Sequence, residues 1–290
     1  MDVLLATHGG EPFADQDDDA LLEALARIDI KAEMAWWADP DVDWSAADLV
    51  VIRTAWDYFD RRDEFVAWAH RVEQLTRLEN PAEVIAWNTH KGYLATLEER
   101  GAPIVPTAFL GRGDRAVLAT LLADRQWPDA IIKPAIGGGS MGLFRVGTGG
   151  DQSDGGQTDL DGLLEQGDVL LQPFVRSVAH GELSIVLFDG VVSHAVRKVP
   201  APGEIRIQVE FGGTYREVAV PEDAANLARW IVQASGHRML FSRVDLLADD
   251  DGSWMLAELE VTEPSLYLNT VPAAADRLAG VIGARLAITG

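Results

Sequence analysis

The sequence contains no cysteine, which removes disulfides, a thiolate nucleophile and any cysteine-ligated metal site. Lysine is nearly as scarce. Lys31, Lys91, Lys133 and Lys198 are the four among 24 basic residues, so each position invites an explanation beyond a preference for arginine. No apolar run approaches the about 20 residues that cross a bilayer, and no membrane partner is expected. The opening "MDVLLATHGGEPF" is too short and too acidic for a secretory signal and reads as a first core strand. A cytoplasmic location is the resulting expectation. Positive charge is deficient too, with a net charge of −22 over 290 residues. That argues against nonspecific nucleic-acid binding, which needs a cationic surface to neutralise phosphates.

What is present is an ordinary globular composition, 48% hydrophobic and 24% charged. "DVLLATHGG", "DDDALLEALARIDI", "AADLVVIRTAWDYF" and "RRDEFVAWAHRVEQL" alternate strand and helix patterns, which predicts a parallel α/β unit over about the first 80 residues. Ligands of such sheets lie beyond the carboxyl ends of the strands, here Thr7 to Gly10 and Arg53 to Tyr58. "NTHKGYLATLEERG" predicts a helix stopped by Gly101, "RAVLATLLADRQ" another, and "DAIIKPA" a strand. "GTGGDQSDGGQTDLDG", from Gly147, has no periodicity and predicts an exposed loop. The later chain is strand-rich: "DVLLQPFV", "ELSIVLFDG", "VVSHAVRKV", "EIRIQVEFGG", "FSRVDLLADD" and "WMLAELEVT". Asp189-Gly190 and Asp251-Gly252 are hairpin signals between apolar runs.

Gly137, Gly139 and Gly142 in "IIKPAIGGGSMGLFRV" formally meet a dinucleotide-binding spacing. That motif needs a helix after its glycines, and "LFRV" is another strand. The segment is therefore a hairpin with a glycine-rich tip. Either its backbone N–H groups fold over phosphates, with Lys133 as an adjacent cation, or it is a plain turn. In "SRVDLL" and "AELEVTEP", period-two alternation puts Arg243 with Asp245 on one face and Glu258 with Glu260 on another. Pairing through Asp251-Gly252 would converge three carboxylates beside one guanidinium. Such a set suits Mg²⁺ shared with phosphates, unless it is a solvated acidic face. Val244, Leu246, Ala257, Leu259 and Val261 are expected on the opposite, packed face.

The glycine flap after a Lys-bearing strand, "QPFV", "GELS" and the late "RVDLL…ELEVTEPS" together resemble the ATP-grasp superfamily. They cover about residues 87 to 268 and look most like its glutathione synthetase and ribosomal-protein glutamate ligase branch. The resemblance implies an ATP-grasp fold of α+β lobes with an N-terminal parallel α/β domain. The expected division is 1–86 (substrate side), 87–168 (central lobe with flap) and 169–290 (C-terminal lobe with the Mg²⁺ site). It implies ATP and two Mg²⁺ ions. Lys91 and Lys133 would contact phosphates, and Gly137, Gly138, Gly139, Ser140, Met141 and Gly142 would cover them. Gln172, Pro173, Phe174 and Val175 would read adenine, and Glu182 the ribose. Asp245, Glu258 and Glu260 would be metal ligands, Glu260 replacing the Asn common there. Arg243 would stabilise the transferring phosphoryl group and Arg206 the acyl phosphate. Lys198 either joins them or is an exposed turn residue.

The activity so implied is ATP-dependent carboxylate–amine ligation through an acyl phosphate, which needs charge stabilisation more than covalent protein chemistry. In "RTAWDYFDRR", Arg53 could pair with a substrate carboxylate and Asp57 with an ammonium, beside Trp56 and Tyr58. Alternatively these residues cap a core and solvate a loop. Ser265 in "EPSLYL" sits where the family often binds its acceptor, and His8 is a further candidate. The "WDY", "WN..K" and "ELE..EPS" segments also look similar to the cyclo-ligase closing O-ureido-D-serine to D-cycloserine, in antibiotic biosynthesis. An intermolecular amino-acid or peptide ligase and a non-catalytic nucleotide-binding regulator remain alternatives. The partner is an amino-acid-like small molecule, and a homo-oligomer is compatible with the sequence.

Overall fold

The computed structural model describes residues 1–9, 16–147 and 152–288. Gly10, at the end of the first expected ligand segment, lies outside them. The first sheet is parallel, in the order β2-β1-β3-β4, from β1 (Val3–Thr7), β2 (Ala32–Trp36), β3 (Leu49–Ile52) and β4 (Arg77–Glu79). Strand β3 is a run of four fully buried residues, as a sheet covered on both faces requires. Helices α1 (Gln16–Arg27) and α2 (Arg62–Leu75) connect it. In α2, Phe65, Trp68, Ala69 and Val72 recur at helical spacing and are buried.

Helices α3 (Ala82–Asn88) and α4 (Tyr93–Glu99) lead into an antiparallel sheet, in the order β5-β8-β6-β7. It comprises β5 (Ala108–Leu110), β6 (Asp129–Pro134), β7 (Phe144–Gly147) and β8 (Val169–Pro173), with α5 (Leu118–Arg125) and α6 (Gln152–Gln166). The segment "LFRV" does pair back on "DAIIKPA", Ala130 opposite Val146. Three sequence expectations are corrected here. The helix expected over Asn88–Arg100 begins only at Tyr93, because Thr89–Gly92 form a turn. The segment expected as a loop from Gly147 is helical from Gln152, because Leu160 and Leu164 bury one face against Val146 and Ile132. The boundary expected at 168 falls one strand early, since β8 completes the central sheet.

The third sheet is antiparallel, in the order β11-β10-β9-β12-β13. Its members are β9 (Glu182–Phe188), β10 (Val191–Val199), β11 (Thr214–Val218), β12 (Phe241–Ala248) and β13 (Trp254–Glu260), flanked by α7 (Glu222–Ala234) and α8 (Pro272–Ala287). Asp189 and Gly190 both have positive φ, 47° and 77°, the geometry of a tight hairpin turn. "EIRIQVEFGG" is not a strand. Its apolar residues gain no buried face, Val209 and Phe211 being exposed, and the edge strand forms further on at Thr214. A bulge between Asp245 and Leu246 pairs Leu246 with Leu256. This turns Ala257 out of the core that holds Val244, Leu246, Leu259 and Val261, and into a small cluster with Val105 and Leu247. Helix α8 packs on α1, so Leu278 and Ile282 share a core with Leu21 of α1 and with Val3 and Leu5 of the first sheet. No helix among the described residues is long and apolar enough to cross a membrane.

Strand β13 is an edge, and its free backbone groups are taken by buried side chains. Asn88 donates to the Leu259 carbonyl (2.7 Å) and accepts from the Val261 amide (3.1 Å), while the Leu259 amide donates to the Tyr93 hydroxyl at 2.9 Å. Asn80, fully buried, donates to the carbonyls of Phe241 (3.1 Å) and Val261 (2.6 Å). Asn88→Ala leaves the Leu259 and Val261 groups unpaired, so a loss of about 1–3 kcal/mol is expected by urea titration. A loss below about 0.5 kcal/mol would show that the edge is held otherwise.

Candidate active site

Four strands of the third sheet place a row of charge on one face. Glu182 and Ser184 alternate on β9. Lys198 on β10 lies opposite Glu182, and Asp245 on β12 lies opposite Ser184. Across the next ladder Asp245 faces Glu258, and Arg243 faces Glu260. The contacts follow this register. Lys198 is ion-paired with Glu182 and lies 3.3 Å from Asp245. Asp245 accepts from the Ser184 hydroxyl (2.5 Å) and from Arg243 (2.9 Å), and Arg243 also binds Glu260 and the Ser265 carbonyl (3.2 Å). From the central sheet Lys133 reaches across to Glu258 at 2.6 Å, and Lys91, in the turn before α4, lies 3.9 Å from the same carboxylate. The cleft between the two antiparallel sheets is thus lined by alternating cations and carboxylates.

Asp245, Arg243 and Lys198 are buried and Glu182, Glu258 and Glu260 half-buried, which overturns both the solvated acidic face and the exposed-turn alternative for Lys198, whose residue is 3% exposed. Burial opposes ionisation of Asp245, but Arg243 and Lys198, helped by Ser184, hold its pKa down to about 2. Burial likewise opposes Glu258, which Lys133 and Lys91 hold at about 2. Glu182 is the surplus acid. It shares Lys198 with the better-neutralised Asp245, and burial pushes it up to about 7. Burial alone would depress the Lys198 ammonium, but Asp245 and Glu182 outweigh it and raise its pKa. Burial, and then the neighbouring Asp245 and Glu258, raise Glu260 despite Arg243.

Above this row stands the glycine tip. Gly139 and Gly142 have φ of +58° and +67°, open to glycine without strain. Lys91 donates to the Gly137 carbonyl at 2.5 Å. A side chain at Gly138 would collide with the Phe59 ring of the N-terminal domain. The Gln208 amide donates to the Ser140 hydroxyl at 2.7 Å, and Met141 is exposed. At the end of β8, Gln172 donates to Thr107 (2.9 Å); Pro173 closes the strand, the Phe174 amide donates to the Asp129 carbonyl (2.9 Å), and Val175 follows toward the third sheet.

The expected substrate residues divide. Arg53 is fully buried on Asp18 (3.1 Å) and does not reach the cleft as a free cation. Asp57 accepts from the Trp36 (3.2 Å) and Trp37 (2.5 Å) indoles and from Arg61 (2.9 Å), so its charge is satisfied internally. Arg206 pairs with Glu204 at 2.7 Å and stacks on Phe211, outside the carboxylate row. Trp56 stacks on His8 with ring centres 5.6 Å apart and donates to the Glu263 carbonyl (3.2 Å), and His8 lies 2.8 Å from the Thr54 carbonyl. Tyr58 is buried and faces the Glu263 carboxyl. Sequence reasoning missed Ser184, Asn88 and Glu263. Ser184 was legible as the same-face neighbour of Glu182. Asn88 and Glu263 stood inside the quoted "WN..K" and "ELE..EPS" segments, but their roles were not legible there, because their partners are far away in the chain.

Among the described residues no three His, Asp or Glu form a ready-made metal cage. Each carboxylate of the row already holds a protein cation. Two lobes presenting cations opposite hard oxygen donors suit the phosphates of a nucleotide held with Mg²⁺, the arrangement of a nucleotide-dependent ligase. Family models agree. That of the prokaryotic glutathione synthetase ATP-grasp domain matches residues 104–271, and that of the D-cycloserine synthetase DcsG N-terminal domain matches residues 3–80. The chain belongs to the ATP-grasp ligases. It is 34% identical over 287 residues, 94% of each chain, to the cycloserine biosynthesis protein DcsG of Streptomyces lavendulae. The crystal structure of D-cycloserine synthetase DcsG superposes with a TM-score of 0.89 at 33% identity, covering 99% of this chain and 100% of that one. The ATP-grasp ligase PsnB, solved with minimal precursor, Mg and ADP, shares the fold at 14% identity, with a TM-score of 0.66 and 98% of each chain covered.

Proposed function

We propose that this ligase cyclises O-ureido-D-serine to D-cycloserine. The observation that carries the reading is the whole-chain likeness to a cycloserine biosynthesis protein, which extends through the N-terminal domain as well as the ATP-grasp lobes. The donor chemistry of the cleft fits ATP with Mg²⁺. Asp245, Glu258 and Glu260 are hard oxygen donors and would hold two ions, and Lys91, Lys133 and the glycine tip would hold phosphates. ATP with Mg²⁺ supplies a phosphoryl group that turns a carboxylate into an electrophile. Lys133 and Arg243 spread the charge developing on that group. Gly137–Gly142 exclude water that would hydrolyse the acyl phosphate. Lys198 keeps Asp245 and Glu182 in place beneath them. Gln172–Val175 and Glu182 are assigned to the base and the ribose.

The test is incubation of the purified protein with Mg-ATP and O-ureido-D-serine, following ADP release and D-cycloserine by mass spectrometry. Coupled appearance of both is expected. ADP formed only when a second amine is supplied would establish an intermolecular ligase instead. ATP binding without ADP release on a panel of small amino acids would establish a regulatory protein.

A further inference from the structure

Most acids in the cleft already have a cation. Glu258 has Lys133 and Lys91, Asp245 has Arg243 and Lys198, Glu260 has Arg243, and Glu182 has Lys198. Glu263 differs. It makes no ion pair among the described residues, and its carboxyl faces the Tyr58 hydroxyl. Both members of that pair are held firmly. The Tyr58 ring stacks on Phe65 with centres 5.1 Å apart and is 4% exposed. The backbone around Glu263 is pinned from the N-terminal domain. The Trp56 indole donates to the Glu263 carbonyl (3.2 Å), Arg53 lies at 3.4 Å from the Pro264 carbonyl, and the Leu266 and Asn269 amides donate to Asp17 (2.9 and 3.0 Å). One residue further on, the Ser265 carbonyl accepts from Arg243. Glu263 therefore sits where the N-terminal domain meets the carboxylate row, rigid, and lacking the positive partner its neighbours have.

Buried carboxyls are stable either neutral or paired. Glu263 is half-buried; its desolvation and the nearby Glu260, against Lys91 and Arg243, push it up to about 8, which favours the protonated form at neutral pH. A bound amino acid brings what is missing, an ammonium group, and its carboxylate is the end that suits the cations. Resting on the ligase reading above, we propose that Glu263, oriented by Tyr58, binds the ammonium group of the amino-acid substrate and so directs the carboxylate end toward Arg243 and the phosphate-binding lysines. The groups facing Glu263 are Tyr58 after β3, Lys91 in the turn before α4, Arg243 on β12 and Glu260 on β13. None of the four offers a free positive charge that would replace the ammonium, because Lys91 and Arg243 are engaged elsewhere.

The experiment compares wild type, Glu263→Gln, Glu263→Asp and Tyr58→Phe by steady-state ADP release, varying O-ureido-D-serine and ATP separately. For Glu263→Gln, the KM for the amino acid is expected to rise at least tenfold with the KM for ATP within twofold. Glu263→Asp should recover part of that loss, and Tyr58→Phe should show a smaller rise in the same parameter. In wild type the amino-acid KM should fall as pH rises toward 8, and Glu263→Gln should lack that dependence. Equal loss in both KM values, or an unchanged amino-acid KM in Glu263→Gln, overturns the proposal. If wild type releases no ADP with O-ureido-D-serine, the cyclisation reading fails. The comparison is then made with whichever amino acid of the panel the wild type accepts, and the same outcomes decide.

Discussion

Glu258→Gln is expected to lower turnover by about 10²–10³-fold, the scale of losing one charge-stabilising group at a reacting centre, while nucleotide binding persists. Glu258 is held at about 2 by Lys133 and Lys91, so it is a full anion under all working conditions, and the amide removes that charge without changing shape. In the free protein the same carboxylate neutralises the two lysines assigned to phosphate. Its removal therefore has opposite effects on two steps. The lysines lose a competitor and bind ATP phosphates at least as well, whereas the hard oxygen needed for Mg²⁺ is weakened. Nucleotide affinity by titration calorimetry and turnover by ADP release separate the two. Unchanged turnover would remove Glu258 from the metal assignment.

Arg243 gives the largest expected effect on stability. Its guanidinium is buried, and it bridges Asp245, Glu260 and the Ser265 carbonyl over the Tyr267 ring. Arg243→Met takes the guanidinium from buried Asp245, which keeps Lys198 and Ser184, and from half-buried Glu260, so the loss should fall at the lower end of about 3–5 kcal/mol. Arg243→Lys keeps the charge but not the fork, so it should fold with a smaller loss while turnover falls about 10²-fold or more. The pH dependence supplies a sign. Asp245 is depressed from 3.8 to about 2, so its contribution, roughly 2 kcal/mol at 1.4 kcal/mol per pH unit, is present above pH 4 and lost as pH falls through 2. In Arg243→Met that acid-side loss should shrink, read as a flatter dependence of the urea midpoint between pH 4 and 2. A dependence as steep as in wild type would mean that Lys198 and Ser184 alone hold Asp245.

The elements that were legible in advance are those whose signal is local. Alternation placed Asp245, Glu258 and Glu260 on strands, Asp189-Gly190 specified its hairpin, and "LFRV" ruled out a helix after the glycines. The helix over Gln152–Gln166 was not legible, because glycine and serine lower intrinsic helix preference and the compensating burial of Leu160 and Leu164 comes from a sheet elsewhere in the chain. "EIRIQVEFGG" failed in the opposite sense: its alternation was sound, but no partner strand or core lies beside it.

The site divides the same way. The chemical types in the cleft, three of the four scarce lysines and a run of acids at period two, were set by the sequence alone, because charge type and strand periodicity are properties of neighbouring residues. Pairing was decided by tertiary structure. Register joined Glu182 to Lys198 and Arg243 to Glu260, and the approach of two sheets brought Lys133 to Glu258 across 125 positions. Arg53 was buried on Asp18 and Asp57 engaged by Trp36, Trp37 and Arg61, while Glu263 has no ion pair among the described residues. Whether a charged side chain is structural or available depends on who neutralises it, and in a buried cleft that partner comes from a distant part of the chain.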